Sequence, residues 1–151
     1  MQEPAVEGLG DRQAGNLLWR SLISADRTPS AELILGVAEF PAHGRLNLHR
    51  HAPAEFYFGL AGEGTVTAGG ATLRIVKGVA IFIPPDLEHG VIAGAGGLSM
   101  VYGFARNSFE EIEYFFSDVS GGCGGEAGKR YRASDAAPGL AANGKTAATD
   151  R

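Results

Sequence analysis

Residues 44–62 read Gly44-Arg-Leu-Asn-Leu-His49-Arg-His51-Ala-Pro53-Ala-Glu55-Phe-Tyr57-Phe-Gly-Leu-Ala-Gly62, and the rest of the chain is organised around them. In an extended segment side chains alternate between faces, so His49 and His51 share one face while Leu48 and Arg50 take the other. Two imidazoles on one face form a metal grip. Pro53 favours a bend that swings Glu55 over the same face and adds an oxygen ligand. A fourth ligand has to come from elsewhere. Of the four histidines, His89 alone lies outside this stretch and its neighbour His43, just past the turn Pro84-Pro85-Asp86.

Composition bounds the fold around this motif. A chain of 151 residues with 44% hydrophobic content buries one good core, so a single domain is expected. Its 23 glycines against 20% charged residues call for many tight turns, which suit short strands and an all-β architecture. The net charge of −4 offers no basic face for nucleic acid or anionic lipid. No apolar run is long enough to span a bilayer, and the opening residues Met-Gln-Glu-Pro-Ala-Val-Glu lack the pattern of a secretory signal. A cytoplasmic protein without membrane or nucleic-acid partners is therefore expected. The single cysteine, Cys123, lies between glycine pairs and reads as an exposed bystander.

Residues 1–15 are small and polar and read as a flexible N-terminus. Asn16–Ile23 carries a short apolar run that fits a helix or an edge strand, with strand favoured. After the turn Asp26–Ser30, Ala31–Phe40 reads as a strand with Leu33, Leu35 and Val37 on one parity. Thr65–Thr67 and Thr72–Val76 flank Gly69-Gly70, whose freedom at positive φ suits a two-residue hairpin turn. Val79–Ile83 is almost continuously apolar, the pattern of a strand buried on both faces. Val91-Ile92 and Leu98–Phe104, separated by four residues rich in glycine, read as a further hairpin. Ser108–Glu111 has capping-box spacing and introduces a helical turn before a last strand over Ile112–Phe116. Strands at this regular spacing argue for a closed barrel or a jelly-roll sandwich over residues 16–118. Residues 119–151 hold seven glycines, eight alanines and a net charge of +2, and read as a disordered tail.

Gly44, His49-Arg50-His51, Glu55 and Gly62, followed by Gly78, Pro84 and His89, resemble the two signature motifs of the cupin superfamily. Three details depart from the usual pattern. Four residues rather than five separate Gly44 from His49, Asp86 stands where glycine is usual, and Ala93 replaces a terminal asparagine. The resemblance covers roughly residues 31–116. It implies a double-stranded β-helix, or jelly-roll barrel, whose interior metal is held by His49, His51, Glu55 and His89. Such a donor set suits iron(II) first, with manganese, nickel, zinc or cobalt compatible, leaving two positions of a six-coordinate ion open to substrate or water. His43 lies off the motif and reads as a surface histidine.

Tyr57 has two readings that stand side by side. Two positions after Glu55, it faces the interior either as a core tyrosine or as a base whose phenolate a nearby cation favours. Tyr102 and Tyr114 read as packing residues. The Glu-x-Tyr arrangement after His-x-His is similar to that of the cupin-type dimethylsulfoniopropionate lyases. That resemblance implies a metal-dependent carbon–sulfur lyase acting on a small carboxylate, with Tyr57 as the base that starts β-elimination to dimethyl sulfide and acrylate. Aromatic rings among Phe56 or Phe58, Phe82, Trp19 and Tyr102 would then attract the sulfonium. A cupin iron dioxygenase on a chelating substrate and a non-catalytic small-molecule binder are the alternatives. A homodimer paired through the apolar strand around Trp19 is expected.

Overall fold

A computed structural model describes residues 14–117 and the backbone of residues 130–132. The flexible terminus expected up to residue 15 falls largely outside that range, as do Cys123 and most of the expected tail. The chain is all-β, with one short 3-10 turn among the described residues. In chain order the strands are β1 (Leu18–Ile23), β2 (Ile34–Phe40), β3 (Arg45–Arg50), β4 (Glu55–Ala68), β5 (Ala71–Val76), β6 (Ala80–Ile83), β7 (His89–Phe104), β8 (Glu113–Phe116) and β9 (Arg130–Arg132). All pairings are antiparallel, and the hydrogen-bonded order runs β1-β2-β7-β3-β8-β9. β4 completes the curled sheet by pairing with β5, β6 and β7. β9 is three residues of strand within residues 119–151, the segment expected to be a disordered tail.

β4 and β7 pair along almost their whole lengths. The expected hairpin over Val91–Phe104 is therefore replaced by one continuous strand, and Gly94–Gly97 serve as a bend within it. The register shifts between Gly59 and Ala61 and again between Gly62 and Gly64. At the bend Gly62 (φ 71°) and Gly97 (φ 78°) take left-handed backbone, and a Cβ on Gly62 would lie 2.2 Å from the Gly97 carbonyl oxygen. Only glycine allows both the conformation and the approach, which lets the ribbon cross from one side of the barrel to the other. The β4–β5 turn is as expected, with Gly69 and Gly70 both at positive φ. Ser108 caps the 3-10 turn Phe109–Glu111, its hydroxyl accepting from the Glu110 N–H.

In β2 the inward parity is Ile34, Gly36, Ala38 and Phe40, while Leu33 is exposed and Leu35 and Val37, on the other parity, are half-covered. One expectation about faces is corrected. In β6, Ile81 and Ile83 are buried but Phe82 is 67% exposed, so the strand is covered on one face only. Apolar character on both parities hides the inward set from a sequence reading, since only neighbouring strands define the core side.

Candidate metal centre

His49 lies on β3, His51 immediately follows it, Glu55 begins β4 and His89 begins β7. All four are buried, with Leu48 and Arg50 exposed as the alternation requires. One donor atom from each lies within 4.8 Å of the others. Three local features bring this about. β3 carries an extra residue between its Leu46–Val91 and His49–His89 pairs, so Leu46 and His49, three positions apart, both face inward. The amide of Asp86 donates to the His51 carbonyl at 3.0 Å, tying the turn before His89 to the first motif. Asp86, standing where glycine was expected, keeps a left-handed φ of 58°, a conformation that a short polar side chain tolerates.

Each imidazole is fixed by its own neighbourhood. Nδ1 of His49 donates to the Asn47 carbonyl at 2.8 Å, that of His51 to Pro53 at 2.9 Å and that of His89 to Leu87 at 2.7 Å. A carbonyl oxygen only accepts, so all three rings carry their proton on Nδ1 and turn Nε2 inward. Nε2 of His51 and of His89 lie 3.0 and 3.1 Å from the same oxygen of Glu55. Nε2 of His49 is buried and has no hydrogen-bond partner.

The electrostatics follow from that convergence. Burial would raise the Glu55 carboxyl, but the hydrogen bonds from His51 and His89 outweigh it and hold the pKa at about 2. Burial, then the neighbouring His89, pushes His49 down to about 3. Burial also works against a charged His51, yet the Glu55 carboxylate prevails and raises it. An anionic oxygen thus draws positive charge into a spot where a third nitrogen presents an unshared lone pair. A divalent cation satisfies all of these donors at once, and the residues fit one.

Beside the four donors lies a cavity of about 50 Å³, lined by Trp19, Tyr57, Tyr102, Phe109, Tyr114 and Phe116 among others. Cross-strand register explains the lining. Ser21, Gly36, Tyr102, Tyr57 and Ile81 form one inward row, and Trp19, Ala38 and Met100 a second. The Tyr57 hydroxyl is buried with no hydrogen-bond partner, and burial together with the Glu55 charge pushes its pKa well above the usual value. Burial likewise raises Tyr102 to about 12, outweighing the Ser21 hydroxyl 3.5 Å away.

Tyr102 and Tyr114 both line the site, Tyr114 at a position read as packing. The Tyr114 ring lies 5.2 Å from that of His49 and 5.4 Å from that of His51. The alternation Tyr114-Phe115-Phe116 was the available signal, but only the β3–β8 pairing brings it opposite His49. Conversely Phe56, Phe58 and Phe82 sit on the outer face and leave Trp19 and Tyr102 as the expected aromatic liners that reach the cavity. His43 is exposed on its turn, as expected.

Residues 36–102 match the cupin domain family. The chain is also 46% identical over 112 residues to dimethylsulfoniopropionate lyase DddW of Ruegeria pomeroyi, covering 74% of each protein. The chain belongs to the cupin family. Among solved structures, this cupin resembles a cupin 2 conserved barrel domain protein from Rhodopseudomonas palustris, with a TM-score of 0.62 and 20% identity over 71% of this chain and 74% of that one. It also resembles a predicted oxalate decarboxylase from Thermotoga maritima, with a TM-score of 0.61 and 20% identity over 69% of this chain and 94% of that one. At such identities these two matches speak to the barrel alone. No helix among the described residues is long and apolar enough to cross a membrane.

Proposed function

We propose that this cupin is a metal-dependent dimethylsulfoniopropionate lyase, with His49, His51, Glu55 and His89 as metal ligands and Tyr57 as the general base. The observation that carries the reading is the 46% identity to a lyase of that activity across three quarters of both chains. The buried cluster of three histidines and one glutamate supports it independently. Iron(II) is the first assignment for the metal, with manganese, nickel, zinc and cobalt compatible with the same donors. When bound, the cation supplies a positive charge that neutralises the substrate carboxylate, stabilises charge building up next to it, and lowers the pKa of a nearby phenol.

The chain's own residues account for the rest. Trp19, Tyr102 and Tyr114 present aromatic faces to a cavity with almost no polar lining, which suits a soft sulfonium better than a hydrated anion. Tyr57 Oη takes the proton from the carbon beside the carboxylate. The electron pair of that C–H bond forms the new C=C bond, and the C–S bond breaks with its electrons leaving on neutral dimethyl sulfide. Acrylate remains. Because burial and Glu55 both keep the phenol protonated, Tyr57 becomes a base only in the metal-loaded protein. The aromatic lining also limits the water available to protonate the developing carbanion.

The test is incubation of iron-loaded protein with dimethylsulfoniopropionate and measurement of headspace dimethyl sulfide. Release of sulfide and acrylate in equal amounts, without oxygen uptake, is expected. No sulfide above a Tyr57→Phe control, with bound metal confirmed by elemental analysis, removes the proposal.

A further inference from the structure

β8 is short and lightly held, yet it backs the metal centre. It has four residues, Glu113–Phe116, and two of them pair with β3, Phe116 opposite His49 and Phe115 opposite Arg50. The Ser117 amide adds a bond to the Leu48 carbonyl at 2.9 Å, and the Arg50 guanidinium lies 4.9 Å from the centre of the Phe115 ring. A strand this short is marginal on one such partner and opens easily.

The inner face of β8 packs on a metal-ligating side chain. Tyr114 and Phe116 stack at 6.1 Å with their rings 13° apart, and their centroids lie 5.2 and 5.3 Å from that of His49. His49 needs this support more than the other two histidines do. Nε2 of His51 and of His89 also rest on Glu55, whereas Nε2 of His49 has no hydrogen-bond partner. The His49 ring is therefore set by its Nδ1 bond to the Asn47 carbonyl and by the rings around it, with that of His89 at 4.2 Å on the side away from β8.

We propose, resting on the metal reading of His49, His51, Glu55 and His89, that Arg130–Arg132 is a positioning element of the metal centre: as β9 it seats β8, and β8 seats His49. Register carries this assignment. β9 pairs with Glu113, Tyr114 and Phe115, one residue more than β3 engages, and without it β8 would be the open edge of the sheet. Pairing on both sides satisfies backbone groups that β8 would otherwise turn to solvent. It also fixes where Tyr114 and Phe116 stand against the His49 ring. A segment far from the ligands in sequence thus governs how well one of them is held.

The experiment titrates cobalt(II) into the full-length wild type, Arg130→Pro and Tyr131→Pro, with Ala141→Pro as a control outside β9. Successive strand residues aim their amides to opposite sides, so one of the two prolines removes an N–H that faces β8. That variant is expected to bind cobalt(II) roughly ten- to hundredfold more weakly, the loss that follows removal of a ligand's outer support. It should also lose hydrogen-exchange protection at residues 113–116 while keeping the wild-type far-UV spectrum. Coupling is reciprocal, so cobalt(II) should raise protection at β9 in the wild type, which a strand with a purely structural role would not show. Wild-type affinity in both variants overturns the proposal, and so does an equal loss in Ala141→Pro or cobalt(II) binding that leaves β9 exchange unchanged. A wild type that takes up no cobalt(II) overturns the metal reading and the role of β9 together.

Discussion

His49, His51 and His89 each use Nδ1 on a carbonyl two positions away in sequence, which turns three Nε2 atoms and one carboxylate toward a single point. Losing one of these donors is expected to cost more than the ten- to hundredfold in metal affinity that follows loss of an outer-shell partner. Elemental analysis of His89→Gln and Glu55→Gln after dialysis should therefore find little metal. Tyr57→Phe should behave differently, retaining its metal while kcat falls by about a hundredfold or more, as loss of a general base requires. The metal-free protein should also be acid-sensitive. His49 accepts a proton near 6.5 when unfolded but only at about 3 when folded, so the unfolded state binds more protons between those values. Stability is lost as pH falls from 6.5 towards 3, and Glu55, held at about 2 instead of 4.5, adds to the loss at the acid end of that range. His51 acts in the opposite sense, with the stability from its raised pKa lost as pH rises through it. A thermal melt of metal-free protein should show Tm falling between pH 6 and pH 4, on the order of the His49 window.

At the scale of elements, Gly36 on β2 decides where Tyr102 lies. A Cβ there would be 2.4 Å from the Tyr102 ring and 2.6 Å from the Arg20 carbonyl oxygen, so neither the side chain nor the backbone of β1 can simply give way. Gly36→Ala is expected to destabilise the barrel by about 1–3 kcal/mol, as overpacking of a core does. It should also drive the phenol into the cavity, raising KM for a small sulfonium more than it lowers kcat. Calorimetry and steady-state kinetics on the same preparation separate the two effects. The β4–β7 ribbon makes the complementary point. Val91–Phe104 has the composition of two strands around a glycine turn, but its partner β4 is equally long, and pairing along both halves satisfies more backbone groups than a local hairpin does.

The molecule exposes Phe58, Leu60 and Phe82 on the outer wall of β4 and β6. If two copies share that wall, folding and association are linked by mass action, and Tm should rise as protein concentration increases. Because the centre of the face carries no charge, the association should resist moderate salt, whereas a contact held by the exposed Arg20–Glu39 pair would weaken with it. Differential scanning calorimetry across a hundredfold concentration range, repeated at high and low salt, measures both expectations. Trp19, on the β1 strand expected to pair two copies, is also one of the residues that line the cavity.

The sequence by itself determined what depends on local spacing. The two-residue period made His49 and His51 co-facial, the glycine pair at Gly69-Gly70 announced a hairpin, and the arrangement of His49, His51, Glu55 and His89 named the donors that the fold brings within one ion's reach. What depends on distant partners had to wait for the tertiary structure. Which parity of β2 and β6 faces inward, whether Gly94–Gly97 turn or bend, and which of eleven neighbouring aromatic and apolar side chains beside Glu55 enclose the cavity are all set by cross-strand register. A side chain's type and its position along one strand are local properties, whereas its neighbours across the sheet are chosen only when the whole barrel closes.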